Sequence, residues 1–361
     1  MLFRSVIEGY GDTTFGGDKL MTRYEMAQIV AKAMAKGANV DKLAAEFADE
    51  LDNLGVRVAN LEKKADNVKV TGELRYKYMS MQSDVNERDN HSPKSYENEL
   101  RSRIWINGQI NDDWSYTGMI ENTQDFDNNS GDEKTDFKRA YVEGKIGGLA
   151  VTAGRYNAFF ANGNIYDDLV DGVEVSYGDK VKVTGFAGKA TEVDGGNYAG
   201  GELAGAFGNL NLAAGYVNYK DLADVKDMDD AIWYVGADYT MGDVNLSGMY
   251  LKGDASLNGK DLTDVNTDGW TVGLAYKGAD ASEAGSWGLF ANYYDLGGMT
   301  YIAHTTDANT FDNDGFKGYG VGANYTFAKN IVGTVAYYDT ENKLNSKVDD
   351  QRVWADVTFT F

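Results

Sequence analysis

Arg352-Val353-Trp354-Ala355-Asp356-Val357-Thr358-Phe359-Thr360-Phe361 ends the chain, and its alternation decides the fold. Val353, Ala355, Val357, Phe359 and Phe361 fall on one face, with Arg352, Trp354, Asp356, Thr358 and Thr360 on the other. A period of two is the mark of a strand between two different environments. The pattern recurs upstream. Ile104, Ile106 and Ile110 oppose Arg101, Arg103, Asn107 and Gln109, while Thr71, Glu73, Arg75 and Lys77 share one face of the first strand. Sixteen strand-like segments fill Val68 to Phe361. Long, acidic joins at 80–98, 122–136, 156–171, 188–199, 219–230, 253–268, 296–315 and 340–350 alternate with turns at 111–113, 147–148, 178–180, 208–209, 240–243 and 328–330. The join at 278–285 is intermediate.

A two-layer sandwich with a solvated face also alternates, but it has no reason to gather its long loops at one end. An up-and-down barrel in a membrane does, and an even strand number closes the sheet without an edge. Tyr76, Tyr177, Tyr239, Tyr276, Tyr325, Phe327, Phe359 and Phe361 lie near strand ends, where interfacial girdles place amphipathic rings. The expected fold is an all-β transmembrane barrel of sixteen antiparallel strands over residues 68–361, preceded by a small helical region and a coiled-coil stalk.

Composition agrees. Asp plus Glu is 56 against 34 for Lys plus Arg, a formal net charge of −22, which is a poor footprint for nucleic acid. The absence of cysteine removes disulfides and thiolate metal sites. One proline and 43 glycines suit a sheet protein whose turns use Gly, Asn and Asp. Mean hydropathy is −0.45, and no run reaches the ~18 apolar residues of a membrane helix. Neither fact weighs against a barrel, where only every second residue meets lipid.

Residues 1–67 read as helix. Thr22 stands three before Glu25, a capping-box spacing that opens a helix through Met26, Ile29, Val30, Ala33 and Met34, closed by Gly37. A second helix from near Asp41 carries heptad positions Ala44, Leu51, Val58 and Ala65, with Phe47, Leu54 and Leu61 at the other core position. This predicts a coiled-coil stalk over 39–67 whose core residues Ala44, Phe47, Leu51, Leu54, Val58 and Leu61 are covered by partner copies. The alternative is an amphipathic helix folded onto its neighbour.

Gly9-Tyr10-Gly11-Asp12-Thr13-Thr14-Phe15, followed by Met21-Thr22-Arg23-Tyr24-Glu25-Met26-Ala27, resembles the second half of an S-layer homology module. Such a module on residues 1–38, then a stalk, then a porin barrel resembles the tethering porins of diderm Firmicutes, the Negativicutes. The resemblance implies an outer-membrane general diffusion porin for small hydrophilic solutes and ions, with its N-terminal region in the periplasm. It also implies a homotrimer set in outer-membrane lipid and a module that binds peptidoglycan or a secondary cell-wall polymer. Arg23 matches the motif arginine of ligand contact, with Thr22, Glu25 and Asp12 beside it; a solvated first-turn arginine is the alternative. A second reading makes the barrel chiefly an anchor of a structural tether. A complete module opens with a further helix and an exported protein with a signal peptide. Neither is read here, so the chain is expected to be a piece of a longer protein.

Catalytic chemistry finds little support. His91 and His304 lie in long joins with no paired Ser, Cys or second ligand nearby. Asp264-Val265-Asn266-Thr267-Asp268-Gly269 copies the opening of a calcium loop, but Ala275 stands where the closing carboxylate belongs. No metal and no cofactor are expected. The join Tyr156–Asp171 differs from its siblings in being apolar and aromatic (Phe159, Phe160, Ile165, Leu169, Val170), so it is expected to fold back inside the wall. Of ten arginines, Arg75, Arg101, Arg103, Arg139 and Arg155 lie in the first five strands, the first four on the inward phase, with Lys77 and Lys145 in support. Set against Asp167, Asp168 and Asp171, they predict a pore constriction with a transverse field. The alternative is that they neutralise Glu73, Glu121 and Glu143.

Overall fold

The computed structural model describes residues 21–35, 41–47, 49–51, 53, 67–84, 94–127, 134–191, 193, 196–263, 265–306, 311 and 314–361. The chain divides into two compact units, 1–68 and 69–361.

In the first unit, α1 (Arg23–Ala35) and α2 (Asp41–Glu46) are short helices. The capping box is formed: the Thr22 N–H and hydroxyl each reach Glu25 Oε2 at 2.9 Å, and the Glu25 N–H returns to Thr22 Oγ1 at 3.2 Å. The coiled-coil expectation is corrected at Phe47. That ring is 7% exposed within the single chain, buried on Ala27 and Val30 with Met26 and Leu51 around it. The small side chain of Ala27 lets α1 take the apolar face that a partner helix would otherwise cover. Ala44 lies in α2; Leu54, Val58, Leu61 and Asp12 lie outside the described residues.

The second unit is one sheet closed on itself. Its strands are β1 (Val68–Ser83), β2 (Lys94–Gln109), β3 (Trp114–Asp125), β4 (Thr135–Ile146), β5 (Leu149–Phe160), β6 (Tyr166–Tyr177), β7 (Val181–Ala190), β8 (Asn197–Phe207) and β9 (Leu210–Lys220). They continue with β10 (Met228–Met241), β11 (Val244–Leu257), β12 (Lys260–Asp261), β13 (Asp268–Lys277), β14 (Trp287–Leu296), β15 (Phe316–Ala328), β16 (Ile331–Asn342) and β17 (Asp349–Thr360). The two-residue β12 only extends β11 past the wall, leaving sixteen wall strands, each beside its neighbour in sequence. The seam runs from Glu73↔Thr360 to Ser83↔Asp350, and Gly72 and Phe361 exchange backbone hydrogen bonds at 2.8 and 3.0 Å. The barrel is up-and-down, antiparallel and without an edge.

Joins 110–113, 147–148, 178–180, 208–209, 242–243, 278–286 and 329–330 mark one rim, and the joins after β1, β3, β5, β7, β9, β11, β14 and β16 mark the other, with 297–315 the longest. Strands reach further into the long joins than alternation suggests. Asp295↔Lys317 and Lys317↔Glu341, for instance, extend the ladders with a polar row on the face of Tyr293, Tyr319 and Tyr337, while Leu296 and Phe316 stay buried inside. Beyond a membrane the outer face meets water, so the apolar-out signal fades while the hydrogen bonds continue.

Exposed apolar residues fill the outer face, among them Val173, Leu203, Val235, Leu274, Leu289, Val335 and Val353. A belt of rings crosses the wall toward the long-loop rim: Tyr216 on Trp233 (centroids 4.3 Å), Trp270 on Tyr293 (5.1 Å), Tyr319 on Tyr337 (6.3 Å). Tyr177, Phe207, Tyr239, Tyr276, Tyr325, Phe327 and Phe359 are exposed near the other rim. Two girdles around an apolar band are the surface of a lipid-embedded barrel.

The main core lies inside the barrel. Phe160, Ile165, Tyr166 and Val170 pack there with wall residues including Phe186, Tyr198, Tyr219, Ile232 and Leu251.

Candidate functional site: a constriction inside the barrel

Strand phase sets the basic side. Arg75 faces Thr358 across the seam on the face of Lys77 and Trp354, and Arg101 and Arg103 oppose Thr123 and Glu121. Arg139 reaches the interior through a bulge. Met119 pairs with Arg139 and Ile120 with Phe137, so two residues that would share a face point to opposite sides. Arg101 lies in the electrostatic reach of Arg75 and Arg103, and Arg139 in that of Arg103. A continuous basic arc results.

Carboxylates answer part of it. Arg101 meets Glu73 at 2.8 Å, Arg103 meets Glu121 at 2.5 Å, and Lys77 meets Glu97 and Glu99 at 2.8 Å each. The Arg75 guanidinium lies 5.5 Å over the Trp354 ring. The Nε atoms of Arg75, Arg101 and Arg139 are buried and make no hydrogen bond. Among the described residues Arg75 meets a ring and Arg139 an amide oxygen rather than a carboxylate, so neutralisation of the arc is partial.

The 156–171 join is corrected. It is a hairpin rather than a loop: β5 and β6 pair through Phe160↔Tyr166, leaving a turn at 161–165 with Ala161 and Asn162 at positive φ. Its tip does fold inward, with Ile165 and Tyr166 at 0% exposure. Asp167 is the acid that meets the basic arc: Arg139 donates to Asn157 Oδ1 (3.1 Å), and Asn157 donates to Asp167 Oδ1 (2.8 Å). Arg155 and Asp171 are corrected too. They pair with each other at 2.6 Å on the phase of exposed Leu149, Val173 and Tyr177, which is the outer face. Asp168 shares the phase of Tyr166 and Val170 and accepts the Leu169 N–H at 2.7 Å.

A second inward segment was not singled out in the sequence. Residues 299–306, between β14 and β15, meet the hairpin tip as an added strand. Ile302 N–H donates to Ile165 O (2.9 Å), Asp167 N–H to Ala303 O (2.8 Å) and Thr305 N–H to Gly163 O (2.9 Å). Tyr166 and Ala303 form a parallel bridge, and the Thr305 hydroxyl reaches Asp167 Oδ2 at 2.6 Å. The signal that pointed to 156–171 was also here: Met299-Thr300-Tyr301-Ile302-Ala303 is an apolar run in the longest join. His304 accepts the Thr306 N–H on Nδ1 (3.0 Å), so Nε2 carries the proton and lies 3.2 Å from Asn164 Oδ1. Tyr294, Tyr301 and Phe316 stand at right angles to its ring or nearly so, and burial pushes its pKa down to about 3.

The two segments meet from opposite walls. Six wall strands separate the β5–β6 hairpin from the β14–β15 pair on either side. A cavity of about 520 Å³ lies between this strut and the short-turn rim, lined by Asn164, Glu202, Asp238, Asn292 and His304 among others. A second, of about 350 Å³, runs under the hairpin past Arg139, Glu143, Glu174 and Lys182.

Residues 162–280 match the family model for Gram-negative porins. No curated protein matches the sequence. Among solved structures, a loop-deletion mutant of OmpT, an outer membrane protein of Vibrio cholerae, is similar at 17% identity and a TM-score of 0.57, over 81% of this chain and 99% of that one. The trimer form of in-vitro folded OmpT from Vibrio cholerae gives 18% and 0.53, over 81% and 99%. A mutant of Rh. blastica porin gives 16% and 0.53, over 81% and 100%. At these identities the structures share the fold. The porin-family match, together with the girdled wall, indicates an outer-membrane barrel.

Proposed function

We propose that residues 69–361 form a general diffusion channel for small hydrophilic solutes and ions. The observation that carries this reading is a closed barrel narrowed by an inward hairpin facing a basic arc. Arg75, Arg101, Arg103 and Arg139 form one side of the constriction, Asp167 the other, and a solute dipole turns in the field between them. Arg155 and Asp171, paired on the outer face, take no part. We assign no enzymatic chemistry: His304 faces an amide oxygen and a backbone N–H rather than a nucleophile. Purified protein in a planar bilayer should give open channels with little discrimination among neutral sugars. A barrel that stays closed leaves only an anchoring role.

We further infer a homotrimer, and a tether from the N-terminal unit to peptidoglycan or a secondary cell-wall polymer. The formed Thr22–Glu25 capping box supports the resemblance to an S-layer homology module. Arg23 is bound to Glu50 at 2.6 Å and to the Glu46 carbonyl at 2.8 Å, yet its side chain is 59% exposed. A wall acid would exchange with Glu50 to reach it. Arg23→Ala should weaken sacculus pull-down and leave conductance unchanged; equal recovery of both proteins removes Arg23 from the binding site.

A further inference from the structure

The strut is sealed on one side only. Phe186 (β7), Tyr198 (β8), Tyr219 (β9), Ile232 (β10), Leu251 (β11) and Tyr294 (β14) join Ile165, Tyr166 and Tyr301 in a single apolar cluster. Among the described residues, no buried member of that cluster comes from β16, β17 or β1–β4; Tyr141 of β4 packs at its margin, and Val348 joins it from the β16–β17 join. That opposite half carries Arg75, Lys77, Arg101, Arg103 and Arg139 instead. Apolar packing excludes water and ions, whereas a charged, hydrogen-bonding wall keeps them.

We propose that segment 299–306 is a second specificity-determining element of the constriction. Pinned to the hairpin tip by Thr305 and His304, it closes the β7–β14 half of the barrel, so that solutes pass only along the basic arc. This rests on the channel reading above. The hairpin tip ends against segment 299–306. The tip has its partners in Ile302, Ala303, His304 and Thr305, and without them the backbone groups of Gly163, Ile165 and Asp167 lose their hydrogen bonds. Beneath the strut the 520 Å³ cavity is then a chamber blocked toward the long-loop rim. Its wall differs from the arc: Asn211, Asp238, Ser247 and Asn292 line it, together with Asp179, Glu202, Lys180 and Lys182. Opening that half would add a path without the arginine arc, so the added current would favour cations relative to the native path.

Two variants test this in the full chain. In the first, Met299–Thr306 is replaced by Gly-Ser-Gly. Single-channel conductance should rise about twofold, because a second half-lumen of similar span joins the first, and the reversal potential in a potassium chloride gradient should move toward cations. Unchanged conductance and selectivity would overturn the proposal. The second variant, Asn164→Cys with His304→Cys, places a unique thiol pair in a chain that has no other cysteine. A short methanethiosulfonate cross-linker should join the two and leave conductance at the level of the unlinked double variant, since the strut is in place while the channel conducts. Failure to cross-link, or current abolished by the link, would show that the two segments are apart in the open channel. A wild-type protein without any conductance would instead defeat the channel reading itself.

Discussion

At the scale of single residues, the arginines divide by the face they occupy rather than by their charge. Arg155 carries the same charge as Arg101, yet one odd step of phase puts it on the outer wall with Asp171. Arg101 sits in the lumen beside Glu73, both side chains less than one-fifth exposed. Removing one partner of a buried pair costs about 3–5 kcal/mol, less where lumen water reaches the survivor. Arg101→Gln should therefore lower stability, and adding Glu73→Gln should restore most of it. Selectivity follows different arithmetic. Arg75→Gln with Arg101→Gln removes two positive charges from a poorly screened constriction, so the cation-to-anion permeability ratio should rise on the order of threefold. Reversal potentials check this, and an unmoved potential in the double variant would mean that the arginines serve the wall alone.

At the scale of elements, the strut is stabilised by backbone pairing and by a neutral imidazole. His304 has its folded pKa depressed to about 3 by burial, below the ordinary value near 6.5. The undocked segment binds the proton more readily, so docking is at full strength above about pH 6.5 and weakens as pH falls from there toward 3. Tyr294, Tyr301, Phe316 and Asn164 offer no carboxylate to compensate an imidazolium. His304→Gln keeps a donor for Asn164 without the titration. The wild type should thus show more current fluctuation than this variant at pH 4 and the same at pH 7.5; noise analysis at the two pH values decides. The β4 bulge is the other element with a functional consequence, since straightening it would turn Arg139 or Phe137 to the wrong side.

At the scale of the whole molecule, closure concentrates on one seam. A Cβ on Gly72 would fall 2.2 Å from the Phe361 ring, so the last residue of the chain covers the first turn of β1 only because that position is bare. Gly72→Val should push Phe361 off and weaken the β1–β17 ladder. The expected outcome is a smaller fraction of heat-modifiable, fast-migrating folded barrel on unheated gels. Phe361→Ala, which removes the ring without the clash, should retain more. Equal folding of wild type and Gly72→Val would show that closure does not depend on this contact.

The sequence by itself determined the barrel, because strand phase, turn position and join length are local and repeat at every hairpin. It also placed Arg75, Arg101, Arg103 and Arg139 on the inward phase, and it found the inward-folding tip through its misplaced apolar residues. It did not reveal which segments meet. Thr305 and Asp167 stand 138 residues apart, and no periodicity links two loops on opposite walls. Phe47 shows the same limit: a heptad position records that a face is apolar, not whether the cover comes from α1 or from another chain. Asp167 and Asp171 looked equivalent as acids of one join. Only the tertiary structure decided between them: the two share one phase of β6, and the inward fold of the hairpin tip sets Asp167 against Asn157 and Arg139 while Asp171 stays on the outer wall with Arg155.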